Sequence, residues 1–331
     1  MKRWQFWVGV LVSAFFLVLA LRGLELEKVG ASLKQGRYLW LVPGVVVYFG
    51  AVGARTWRWH YLLRTLKPIP LRTLFPVVTI GYMGNNIYPA RAGEVLRAYV
   101  LKQREGISVS ASLATILVER IFDGLVMLLF VFLALPTVPE LPVRLRQLVV
   151  IASGLFLGAL LLFFAMAATP QRVQRLSTRL LIPYLPARFR QPVQGLLERF
   201  LTGLSSLRSG RDVAMIFFTS VVIWLLETLK YWFVMHAFPF QVSFFALMLM
   251  NGVVNLATTL PSGPGYVGTF DTPGIAVLQV FGVERSLATG YTLVLHVALW
   301  FPITLLGAIY MVRESLSWKQ VQAEMAREGV S

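Results

Sequence analysis

Arg91, Glu94 and Arg97 follow one another at intervals of three, and Glu119 and Asp123 lie four apart with Arg120 beside them. On a helix each set shares a face. A guanidinium offers a planar fork of donors and stays charged, which suits a phosphate group. Two carboxylates on one face can receive an amine headgroup, or exchange a proton if mutual repulsion raises one pKa. The same residues read equally well as a static network in which Glu94, Glu119 and Asp123 neutralise Arg91, Arg97 and Arg120. Glu227 and Lys230, again three apart, read first as an intrahelical ion pair and second as headgroup contacts.

Helix breakers surround this chemistry. The stretch from Gly81 to Glu94 places Asn85 and Asn86 before Pro89, with Gly93 following, between two apolar arms. A second stretch, after Asn255, reads Pro261, Ser262, Gly263, Pro264, Gly265 and, past a short turn, Gly268 and Asp271. Proline removes a backbone donor and glycine permits sharp turning, so both stretches are breaks. Free amides at the start of the helix after the second break can hold an anion. Asp271 fits a helix N-terminal acid, a proton site or a partner for a cation. As a plainer alternative, both breaks are packing kinks in membrane helices.

The elements that must position these residues are membrane helices. Hydrophobic residues make up 57% of the chain, charged residues 14%, and the mean hydropathy is +0.69, which excludes an ordinary soluble domain. The chain reads as an all-α polytopic membrane protein, residues 1–331 forming a single integral domain. Six full spans are expected near 4–21, 38–54, 108–135, 147–168, 212–238 and 286–312. The Lys2–Arg3 start with an apolar run resembles a signal peptide but has no convincing cleavage site, so it counts as the first span. Residues 73–101 and 244–281 each hold two apolar arms about a break; an arm of about 16 residues reaches roughly 24 Å, short of a crossing.

The net charge of +16 sits in loops between spans rather than on one basic face, so nucleic acid is not an expected partner. Charge counting favours a re-entrant hairpin at 73–101: the arginine-rich connection 169–211 then lies in the cytoplasm, with Arg55, Arg58, Arg64, Lys67, Lys102 and Arg104. Both termini are then cytoplasmic. The resulting order is span, span, re-entrant pair, span, repeated with opposite orientation: an inverted repeat with halves 1–135 and 147–312. Leu196, Phe200, Leu204 and Leu207 make the connection amphipathic, suited to lying on an anionic membrane surface. Most tryptophans, among them Trp40, Trp57, Trp59, Trp224 and Trp300, fit aromatic belts near span ends. His60, His236 and His296 are isolated, so no metal and no cofactor is expected, and the absence of cysteine excludes thiolate chemistry.

The chain resembles the lysylphosphatidylglycerol synthase transmembrane-region family of flippase-like membrane proteins. The likeness rests on Asn86–Ile87–Tyr88–Pro89–Ala90–Arg91–Ala92–Gly93–Glu94 with Arg97, on Glu119–Arg120 with Asp123, and on Pro261–Ser262–Gly263–Pro264–Gly265 with Gly268. It covers nearly the whole length and implies translocation of lipid between leaflets, with aminoacylated phosphatidylglycerol or lipid-linked glycans as cargo. The chain ends at Ser331 without the soluble aminoacyltransferase domain of the bifunctional members, so lipid synthesis is not expected. The leading expectation is a flippase of a prokaryotic plasma (inner) membrane, not an enzyme. In it Arg91 and Arg97 hold a lipid phosphate, Glu94, Glu119 and Asp123 balance charge, and the turn from Pro261 to Gly268 gates the cavity. Anionic or phosphate-bearing membrane lipids are the expected partners, with a homo-oligomer open. The competing classes are an integral membrane enzyme acting on lipid phosphates or lipid-linked sugars, and a proton-coupled small-solute transporter. No phosphate-binding loop of the Gly-Lys-Ser/Thr type is present, which disfavours ATP hydrolysis.

Overall fold

The computed structural model describes residues 26–88, 91–138, 210–259 and 263–313, with isolated positions elsewhere. The expected spans 4–21 and 147–168 and all of the connection 169–211 but its last two residues fall outside these stretches, as do Pro89, Pro261 and Ser262. The described stretches are helical: α1 (Leu26–Lys34), α2 (Leu41–Leu63, preceded by the 3-10 turn Tyr38–Trp40), α3 (Leu71–Ile87), α4 (Ala92–Glu105), α5 (Val109–Ala134), α6 (Gly210–Met235), α7 (Phe244–Ala257), α8 (Asp271–Val280) and α9 (Arg285–Arg313). Tyr38–Leu63, Gly210–Met235 and Arg285–Arg313 are each long and apolar enough to cross a membrane. At 26 residues α5 reaches about 39 Å, but carries Glu119, Arg120 and Asp123 at its middle.

Two boundaries differ from the sequence expectation. α2 continues past residue 54 to Leu63, so Arg55 and Arg58 are buried helix residues rather than members of a cytoplasmic loop. Partners on α5 and α6 allow this, because a charge leaves water only where another charge meets it. The loop before α2 holds the short helix α1, whose Val29 is buried and whose Ser32 and Leu33 pack near Gly290 of α9.

α3 and α4 are short arms of 17 and 14 residues packed on each other. Their outer ends meet: Arg104 Nη1 donates to the Thr73 carbonyl at 3.1 Å, and Lys67 pairs with Glu105 at 2.7 Å. Arg64 pairs with Asp212, which brings the start of α6 to the same end. α7 and α8, with 14 and 10 residues, form the second such pair. The most extensive packing joins α2 to α6; α3 lies on α9 and α5 on α7, while α4 and α8 pack on α5 and α9 respectively. Ser108 and Ser243 cap α5 and α7 through their hydroxyls, accepting from Ala111 N at 3.3 Å and Ala246 N at 3.1 Å.

Gly93 sets how closely α4 can approach α3. A Cβ there would collide with the Gly81 carbonyl oxygen and the Asn85 backbone nitrogen, neither of which can move without unwinding α3. We expect Gly93→Ala to cost about 3 kcal/mol, read as a lower thermal unfolding midpoint in detergent. Gly53→Ala, where the added methyl meets open space, should stay within about 0.5 kcal/mol of native. An unchanged midpoint for Gly93→Ala would contradict the close approach.

Candidate functional site

The site is built where α2, α5 and α6 meet. Asp123 of α5 accepts from Arg58 Nη1 at 2.6 Å and from Trp224 Nε1 at 2.9 Å, and it pairs with Arg55 at 3.5 Å and Arg120 at 3.3 Å. Glu119, one turn earlier, pairs with Arg97 of α4 and with Arg58 at 3.5 Å. Glu227 of α6 pairs with Arg55 at 3.2 Å and with Lys230. Rings sandwich several of these cations: Arg97 lies 4.6 Å over Trp59, Arg55 5.1 Å over Trp224, and Lys230 4.5 Å over Tyr48. Arg55, Arg58, Arg97, Glu119, Asp123, Glu227 and Lys230 are all buried.

Beside this network the two breaks face one another. Arg91 is left-handed at φ 55°, which turns the chain from the first break into α4. Its Nε and Nη2 each lie 3.4 Å from oxygens of Thr258, at the end of α7, and its Nη1 lies 3.8 Å from Glu94. In the second break Tyr266 is also left-handed, at φ 59°. Such a conformation costs a non-glycine residue about 1–2 kcal/mol and is held where the surroundings demand it. Asn86 Nδ2 donates to Thr304 Oγ1 of α9 at 2.8 Å, and Trp300 Nε1 donates to the Asn86 carbonyl at 3.3 Å.

Between the breaks lies a polar cavity of about 140 Å³. Arg55, Arg91, Arg120, Glu227 and Lys230 line it with Asn85, Asn86, Asn255, Tyr48, Tyr82, Tyr266 and His296. The Nε atoms of Arg55 and Arg120 are buried there without a hydrogen-bond partner, leaving donors to offer to a guest, and Asn85 Oδ1 is an acceptor in the same state. An apolar groove of about 370 Å³ adjoins it, lined by Val267, Ile275, Leu293 and Val297 and sharing Asn86, Gly265, His296 and Trp300 with the cavity.

The sequence-derived site residues therefore divide. Asn85, Asn86, Arg91, Arg120, Glu227, Lys230, Asn255 and Gly265 line the cavity; Glu94 pairs with Arg91 and with Arg120 at 3.5 Å on its flank. Arg97, Glu119 and Asp123 lie behind it, committed to ion pairs, which is the static-network reading rather than that of free carboxylates. Gly93 serves helix packing, Pro264 lines the apolar groove, and Gly268 N donates to Asp271 Oδ2 at 2.8 Å. Gly263 precedes the 3-10 turn Pro264–Tyr266. Asp271 also meets His296 at 2.8 Å, so that histidine is not isolated. Sequence reasoning missed Arg55, Arg58, His296, Thr258 and Trp224. Trp59 and Trp224 are buried inside the bundle instead of in a belt. Among the described residues no group of three or more His, Asp or Glu side chains is arranged to hold a metal ion.

Helices of membrane-spanning length beside a charge-lined cavity define a polytopic membrane protein with a polar site. The chain belongs to the lysylphosphatidylglycerol synthase transmembrane-region family, whose model matches residues 6–307. It is similar to a UPF0104 membrane protein of Methanothermobacter thermautotrophicus, 26% identical over 94% of this chain and 93% of that one. A UPF0104 membrane protein of Methanocaldococcus jannaschii is 22% identical, over 92% of this chain and 93% of the relative. Glycosyltransferase AglD of Haloferax volcanii is 25% identical over 91% of this chain but only 53% of its own length. No solved structure matches.

Removing one member of a buried ion network strands the others. Asp123→Asn should cost about 3–5 kcal/mol, measured as a lowered unfolding midpoint in detergent. A native midpoint would show that Arg55, Arg58 and Arg120 do not depend on that carboxylate.

Proposed function

We propose that the chain moves a phosphate-bearing lipid (a phospholipid, an aminoacylated phospholipid or a lipid-linked glycan) between leaflets, its headgroup crossing through the cavity between the two breaks. One observation carries this reading: charge. Arg55, Arg58, Arg91, Arg97, Arg120 and Lys230 stand against Glu94, Glu119, Asp123 and Glu227, a surplus of two positive charges in and behind the cavity. Uncompensated buried charge is costly, and a phosphate would neutralise it. Arg91 is the cation to meet it, because its contacts with Thr258 and Glu94 are long while Arg97 and Arg58 are committed. The adjoining apolar groove favours a lipid over a free anion, since acyl chains can stay in hydrocarbon while the phosphate is held a few residues away.

The arrangement of helices supports the transport reading. Exchanging α2, α3, α4 and α5 for α6, α7, α8 and α9 converts the α3–α9 contact into α7–α5, the α3–α4 pair into α7–α8 and the α4–α5 contact into α8–α9. That exchange is what an inverted repeat of two re-entrant hairpins produces, each entering from an opposite side, with the site between them. The shared end of α3, α4 and α6, rich in Arg64, Lys67, Lys102 and Arg104, would then be cytoplasmic, as would both termini. The name of the Haloferax volcanii relative favours a second reading, an enzyme acting on lipid-linked sugars, although the match covers about half of that protein.

The test is movement of a fluorescent phosphatidylglycerol across liposomes holding the purified protein. Losing one charge-assisted contact of about 1.5–3 kcal/mol, Arg91→Ala should translocate roughly tenfold to a hundredfold more slowly, with Arg91→Lys in between. Native rates in a folded Arg91→Ala protein would sink the phosphate assignment. Covalently altered lipid would instead point to the enzyme, and phosphate uptake without lipid movement to a solute transporter.

A further inference from the structure

His296 holds acceptors at both ring nitrogens. Its Nδ1 lies 2.8 Å from Asp271 Oδ1 and its Nε2 lies 2.6 Å from the Gly265 carbonyl oxygen. A carbonyl has no hydrogen to give, nor has an ionised carboxylate, while a neutral imidazole carries one N–H. Satisfying both contacts therefore takes one proton more than a neutral histidine beside an ionised aspartate supplies. Asp271 Oδ2 already accepts from Gly268 N at 2.8 Å, and because an imidazole is more basic than a carboxylate the extra proton goes to the ring. Both side chains are largely removed from solvent, 14% and 5% exposed, and the Phe270 ring lies 4.6 Å from the imidazole.

Few other groups compete for that proton. α9 has no further titratable residue within a turn of His296, and α1 presents Ser32 and Leu33 where it packs on α9 near Gly290. α3 brings Asn86 and Tyr82, and the second break brings Tyr266. Across the cavity α2 contributes Tyr48 and Arg55, α5 contributes Arg120, α6 contributes Glu227 and Lys230, and Arg91 comes from the first break. Asp271, from α8, is the charged group in hydrogen-bond contact.

We infer that His296 and Asp271 form a proton-binding site whose occupancy locks the Pro264–Tyr266 turn over the cavity and couples transport to a proton gradient. With the proton bound, Nε2–H holds Gly265. When it leaves, the remaining N–H stays on Nδ1, where the carboxylate makes the stronger bond, and the Nε2 lone pair faces the Gly265 oxygen. Two acceptors at that separation repel, and the turn is released. Tyr266, held left-handed at φ 59°, gains by leaving, and Gly265 and Tyr266 both line the cavity. One proton is taken up and one given back per cycle, and no other bond changes. Coupling rests on the transport reading above; the proton site does not.

Two measurements test this. Nitrogen NMR of ring-labelled histidine in lipid nanodiscs should show one of the three histidines protonated at both nitrogens near neutral pH and losing a proton in alkali. That signal should be absent in His296→Gln, and Asp271→Asn should move the loss to lower pH. In liposomes a pH gradient should speed movement of fluorescent phosphatidylglycerol by about tenfold for the native protein. His296→Gln, which keeps an N–H for Gly265 but cannot titrate, should lose that response. A His296 ring with a single N–H at neutral pH would overturn the site, and an undiminished gradient response in His296→Gln would overturn the coupling. A native protein that moves no lipid under any gradient would overturn the transport reading and the coupling with it, while the ring titration still decides the proton site.

Discussion

The carboxylate of Asp123 gathers Arg55 and Arg58 from α2, Trp224 from α6 and Arg120 from its own helix α5. Hydrocarbon cannot solvate these groups, so each must find its partner inside the protein. That requirement fixes how α2, α5 and α6 cross, because a shift of one turn in any of them would leave a buried charge alone. Glu119 extends the same constraint to α4 through Arg97, and Glu227 closes it on the α6 side through Lys230. The breaks then pack outside a frame that is already determined.

Ion pairs of this kind contribute less to stability than to choosing one arrangement. Here the chosen arrangement leaves a specific asymmetry. Arg97, Arg58 and Lys230 are tightly matched, while Arg91, at the end nearest the second break, has only long contacts. The frame thus leaves Arg91 available where two chain breaks converge on a cavity. A groove of apolar side chains begins on the far side of His296 and Trp300. Polar and apolar spaces therefore meet at a few shared residues, which is the geometry that a molecule with a charged head and hydrocarbon tails requires.

Much of this was legible in the sequence. Hydropathy locates α5, α6 and α9 to within a few residues, and the Gly/Pro composition marks both breaks. The four-residue spacing of Glu119 and Asp123 signals charge along one face of a helix. What escaped was partnership at a distance. Hydropathy alone leaves Arg55 and Arg58 in a loop because arginine lowers it, and the carboxylates that keep them buried are far off in sequence: Asp123 is 65 positions from Arg58 and Glu227 is 172 from Arg55. A signal was present: the two arginines are three apart, and the helical period runs on to Leu62 and Leu63. His296 was isolated only in sequence, since Asp271 and Gly265 reach it from 25 and 31 residues away through the fold of the second break.

The central claim is that the positive surplus around Arg91 is neutralised by a lipid phosphate. Mass spectrometry of lipid retained through purification tests it most directly, comparing native protein with Arg91→Ala and, as a control whose added methyl meets open space, Gly53→Ala. The account predicts a phosphate-bearing lipid retained by the native and Gly53→Ala proteins and depleted from Arg91→Ala. Equal retention of the same lipids by all three, or retention of lipids without phosphate, would contradict it.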